Sequence, residues 1–106
     1  MKTAKLSKMV DGWYVGDFLP SIHRTPTFEV GVKWHRMGSN WPRHYQKEAI
    51  EINYVIKGVI KINGSVFCKG DIFLVEPREI IKPEFVTDVE VVVVKIPSLP
   101  HDKVVV

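Results

Sequence analysis

His44–Gly58, HYQKEAIEINYVIKG, and Gly70–Pro77, GDIFLVEP, are the two stretches on which the reading of this 106-residue chain turns. Six residues separate Glu51 from Gly58, and His44 and Gln46 stand two positions apart shortly before Glu51. Side chains alternate along an extended backbone, so His44 and Gln46 share a face. By the same alternation Ile50, Ile52, Tyr54 and Ile56 lie on one side of the next strand, and Glu51, Asn53 and Val55 on the other. The ordinary rule for a half-buried strand makes the isoleucine side the core and leaves Glu51 in water.

Downstream of Tyr54 the punctuation is regular. Lys57-Gly58, Asn63-Gly64, Lys69-Gly70 and Thr87-Asp88 bracket short β-rich runs. Asn63-Gly64 is a hairpin signal, because a type I′ turn needs positive φ at both central residues. VEVVVVKIP is a closing strand of β-branched residues, apolar on both faces. Upstream, FEVGVKWH alternates Phe28, Val30, Val32 and Trp34 with Glu29, Gly31, Lys33 and His35, the period of a half-buried strand. MGSNWPR is a loop by composition, and GWYVGDFLPS is a first strand or arm packed on the core. His23 falls in a turn-like surface stretch. The first ten residues are a solvated lead-in, and PSLPHDKVVV is expected to stray from the barrel. No segment has a helical period. Short strands at near-even spacing with glycine turns predict an all-β sandwich or small barrel. The expected division is a single domain over residues 1–106, with a core at 26–98, an N-terminal arm at 1–25 and a C-terminal tail at 99–106.

The order His, Gln, Glu, Gly resembles the first motif of the cupin superfamily, which has two histidines, a glutamate and a glycine in that order. Gly70-Asp71 followed by four apolar residues and Glu76-Pro77 resembles the opening of the second motif. The resemblance implies a cupin-type double-stranded β-helix, a jelly-roll-like small barrel. It also reverses the register: Glu51 faces the lumen, and the isoleucine side becomes the outside of the barrel. An apolar outside needs a cover, and a homodimer supplies the simplest one.

Cupin metal sites usually take two histidines and a glutamate from the first motif and a histidine from the second. Here His44 matches the first histidine, Gln46 stands where the second falls, and Glu51 matches the glutamate. Ile81 occupies the place of the last histidine. Imidazole and carboxylate suit divalent iron, manganese, zinc or nickel, but a glutamine amide is a poor donor and isoleucine is none. The expectation is at most a weakly held divalent metal on His44, Gln46 and Glu51. A desolvated Glu51 beside His44 is also a candidate acid–base pair, fit for an isomerase or epimerase.

Lys33, Arg36, Arg43 and Lys47 occur between Glu29 and Glu48 without an intervening acid, with Trp34 and Trp41 among them. Arg36, Arg43, Lys47 and Trp41, joined by Arg78 near the second motif, are the predicted ligand contacts at the barrel mouth. Basic residues interleaved with aromatics also suit single-stranded nucleic acid. A net charge of only +3 and a concave pocket favour a small anionic ligand instead, such as a sugar derivative. Alternatives are a metal-dependent dioxygenase, which Ile81 opposes, and a non-catalytic binding or regulatory module. No apolar run reaches membrane-spanning length, MKTAKLSK lacks a signal-peptide core, and Cys68 is a lone cysteine read as a small strand residue. The expected compartment is the cytoplasm.

Overall fold

Gly58, Gly64 and Gly70, all at positive φ, fall at the ends of strands or turns in the computed structural model, which describes residues 1–106. The Asn63-Gly64 turn has φ of 50° and 90° and joins two antiparallel strands, as a type I′ hairpin requires. One 3-10 turn, Leu6–Lys8, precedes the strands. They are β1 (Trp13–Gly16), β2 (His23–Arg24), β3 (Glu29–His35), β4 (His44–Gln46), β5 (Ile50–Lys57), β6 (Val59–Ile62), β7 (Ser65–Cys68), β8 (Ile72–Val75), β9 (Pro83–Phe85), β10 (Val89–Ile96) and β11 (Lys103–Val105).

A six-stranded sheet runs β2-β1-β3-β10-β5-β8. Facing it are a three-stranded sheet, β7-β6-β9, and the pair β11-β4, which is bridged to Ile81 through His44. Inward side chains of both layers form one core, with Val55, Val75, Val89, Val91 and Val93 from one side and Ile60, Ile62, Ile81 and Phe85 from the other. No helix is long and apolar enough to cross a membrane.

Register decides what faces the lumen. Residues directly opposite on neighbouring strands share a face. Val30 and Val32 pair with Val94 and Val92, these with Ile52 and Tyr54, and those with Leu74 and Ile72. These eight apolar residues form one outer surface across four strands, on which Tyr54, Leu74 and Ile72 are 44, 46 and 67% exposed. The inward rows are Lys33–Val91–Val55, Gly31–Val93–Asn53–Phe73 and Glu29–Lys95–Glu51–Val75. Glu51 therefore points into the barrel. The same inversion applies to β3: Glu29 is buried and Trp34 is 54% exposed, so the polar side of FEVGVKWH faces in.

Two expectations need correction. The last residues do not stray from the barrel. They return as β11, pairing Lys103 with Gln46 and Val105 with His44. Buried Asp102 anchors this return, its carboxylate accepting from the backbone N–H of Glu48 at 3.1 Å and of Ala49 at 2.9 Å. The stretch assigned to an N-terminal arm also holds β1, which is integral to the large sheet. Cys68 lies on β7 as expected, but exposed.

Candidate functional site

β3, β5 and β10 from one layer and β4 and β11 from the other carry polar side chains into a lumen cavity of about 250 Å³. Its floor is apolar, lined by Ile60, Ile62, Phe73, Phe85, Val91 and Val93. His44, Gln46, Glu51 and Ile81 all line it, so the four positions of the motif alignment do converge. Trp41 lines it as well.

The remaining predicted contacts do not. Arg36 sits outside with its guanidinium 5.6 Å from the Trp34 ring centroid. Lys47 and Arg78 border a separate surface depression with Glu48, Leu99 and His101. Arg43 is exposed and absent from the cavity wall. The basic group placed at the mouth is thus dispersed over the surface.

Of that basic run only Lys33 reaches the cavity, where two lysines outside the predicted contacts join it. Lys33, Lys95 and Lys103 line the cavity from β3, β10 and β11. Lys33 and Lys95 lie 5.3 and 5.2 Å from the Trp13 ring, and Lys103 lies 4.2 Å from that of Trp41. Lys33 donates to the backbone oxygen of Asp11 at 2.6 Å. Lys95 stands 3.9 Å from Glu51 Oε1, while Glu51 Oε2 accepts from the Asn53 amide at 2.9 Å. Burial pushes the Lys33 ammonium below the ordinary lysine range, partly offset by Asp11; partial burial and Lys95 do the same to the more exposed Lys103, partly offset by Glu51.

Burial shifts both histidines that line the cavity in the same direction, toward the neutral form. His35 stacks on Phe85 at 4.2 Å and meets Trp41 edge-on at 5.1 Å. Burial, then Lys33 and Lys103, lower its pKa to about 4. Burial lowers His44 too, opposed by its contact with Pro42. His44 Nδ1 is 2.8 Å from the Pro42 carbonyl oxygen, so Nδ1–H donates there and Nε2 is left as the basic atom.

The His35 shift has a consequence for stability. Between the ordinary histidine pKa and about 4, the unfolded chain binds a proton that the folded chain refuses, so stability falls as pH falls through that window. Water still reaches the ring, and the screened effect is about 1 to 2 kcal/mol. Thermal melts from pH 7 to pH 4, run against His35→Phe, should show this slope in the wild type and a flatter one in the variant.

A divalent cation does not fit this donor set. No three histidine, cysteine or carboxylate side chains are placed to hold one ion. Ile81 provides no lone pair, Glu51 is engaged by Asn53 and Lys95, and three ammonium groups face the same space.

Among solved structures, a double-stranded β-helix protein from Klebsiella pneumoniae matches with a TM-score of 0.67 at 19% identity, covering 76% of each chain. An RmlC-like cupin from Shewanella frigidimarina matches with a TM-score of 0.64 at 19% identity, over 72% of this chain and 71% of that one. The chain has the cupin fold. The DMSP lyase DddQ from Ruegeria pomeroyi shares the cupin fold at a TM-score of 0.71 and 16% identity, over 88% of this chain and 50% of its own. No family model matches the sequence, and no curated protein does. These identities establish the cupin fold and leave the chemistry to the residues of the lumen.

Proposed function

We propose that the cupin lumen binds a small anionic metabolite, phosphorylated or carboxylated, such as a sugar derivative, against Lys33, Lys95 and Lys103. The observation that carries this reading is the imbalance of charge. Lys95 has Glu51 within 4 Å, but Lys33 and Lys103 have no carboxylate that close. The half-buried Lys33 ammonium is costly without a counterion, and an anionic ligand would supply the missing charge to it and to the more exposed Lys103. The apolar floor and Trp41 suit the body of such a ligand. His44 and Glu51 beside it support proton transfer, with His44 Nε2 as base, and hence an isomerase or epimerase. The donor set gives a dioxygenase no support.

We also propose that a second copy covers the apolar outer face of the large sheet, making a homodimer.

Phosphate is a direct probe of the pocket. At about a hundred times Kd it should add about 2.7 kcal/mol, a rise in Tm of roughly 10 °C for a chain of this size. Lys103→Met should lose most of that rise, whereas Arg43→Ala should keep it. Equal rises in wild type and Lys103→Met would reduce the effect to general salt and overturn the reading.

A further inference from the structure

The cavity holds three lysines, and they are not equivalent. Lys33 donates to Asp11 and Lys95 is drawn to Glu51, but the Lys103 ammonium has neither a hydrogen-bond acceptor nor an ion-pair partner. Its stem is nevertheless held in place. Lys103 lies directly opposite Gln46 in the β11–β4 pair, and Gln46 is buried on the lumen side. Residues opposite one another share a face, so Lys103 is directed into the cavity and lies diagonally across from His44. Asp102, the residue before it, is clamped to the Glu48 and Ala49 amides. The C-terminal strand thus delivers, to a pocket that already has a base, an amine whose close partner is the Trp41 ring, 4.2 Å away.

We propose that Lys103 is a carbonyl-capturing amine, whose Nζ condenses with the keto or aldehyde carbon of a small oxo acid held by Lys33 and Lys95. This rests on the anion-pocket reading above and narrows its ligand to a compound bearing both an acid group and a carbonyl.

The step balances without an oxidant or a reductant. Uncharged Nζ places its lone pair on the carbonyl carbon, and a proton passes from nitrogen to the former carbonyl oxygen to give a carbinolamine. That oxygen then leaves as water when the C=N bond forms. His44 Nε2 is the group suited to take the proton from nitrogen and return it to the departing hydroxyl. Amines become nucleophilic in this way when desolvated or set beside other cations; Lys103 keeps an exposed side, but partial burial and the neighbouring Lys95 and Lys33 disfavour its charged form against the opposing charge of Glu51.

The test is reductive trapping. Wild-type protein is incubated at neutral pH with pyruvate and sodium cyanoborohydride, which delivers hydride to the imine and fixes it as a secondary amine. Peptide mapping by mass spectrometry then compares sites over time. Lys103 should be modified roughly ten times faster than Lys2, Lys5 and Lys8, because partial burial and the neighbouring lysines disfavour its charged form. Excess phosphate should protect Lys103 while Lys2, Lys5 and Lys8 stay labelled, and Lys103→Arg should lose the fast adduct. Equal labelling of all these lysines, in protein that phosphate still stabilises, would overturn the amine assignment and leave the anion pocket standing. A fast adduct at Lys33 or Lys95 would overturn it too. Failure of phosphate to stabilise the wild type would instead remove the pocket reading on which the proposal rests.

Discussion

Gly58→Ala is expected to lower stability by about 3 to 5 kcal/mol, close to the whole margin of a domain this small. Gly58 has φ of 91°, and a Cβ there would lie 2.0 Å from the Asp88 carbonyl oxygen and 2.9 Å from Thr87 Oγ1. The carbonyl belongs to backbone leading into β10 and cannot swing aside without disturbing the sheet. Gly64 separates the two contributions. Its φ is 90°, yet nothing lies within 4 Å of a Cβ at that site, so Gly64→Ala should cost only the backbone term of about 1 to 2 kcal/mol. Urea denaturation of both variants is the measurement. Similar losses for the two would mean that the close approach to Asp88 is unimportant.

The second large effect concerns the outer face. Tyr54 and Leu74 lie on adjacent strands within the apolar surface that runs from Val30 to Ile72. If a second copy covers it, Tyr54→Glu or Leu74→Glu places an uncompensated charge in the interface twice, once from each subunit. Each should weaken association by about 3 kcal/mol or more, enough to shift micromolar protein from dimer to monomer. Sedimentation equilibrium distinguishes the states. A monomeric wild type at that concentration, or a Tyr54→Glu protein that still pairs normally, would contradict the homodimer.

Much of the fold was written in local spacing. The Glu51-to-Gly58 interval, the Asn63-Gly64 turn and the Gly70-Asp71 start each reflect a short-range backbone requirement, and the register they imply places His44, Gln46, Glu51 and Ile81 around one cavity. The lysines were harder to see. On β3 the usual rule of apolar residues inward points Lys33 and His35 to solvent, but here the apolar side is the outer face of the sheet. The inversion recognised for β5 extends to its neighbours, because β10 joins the two strands. Lys95 could have been found from its two-residue spacing to Val93. Lys103 had no local signal. Its place depends on a pairing with β4 more than fifty residues earlier, anchored by Asp102. Arg36, Arg43, Lys47 and Arg78 show the reverse error, since nearness in sequence to His44 or to the second motif does not put a side chain inside a barrel.

The lumen can be tested most directly by a crystal structure determined with phosphate in the crystallisation solution. A lysine-lined anion pocket predicts a tetrahedral anion inside the barrel, within hydrogen-bonding reach of Lys103 and Lys33, with Glu51 still turned toward Asn53 and Lys95. A divalent cation bound by His44, Gln46 and Glu51, or phosphate found only on the surface arginines with the lumen left to water, would contradict it.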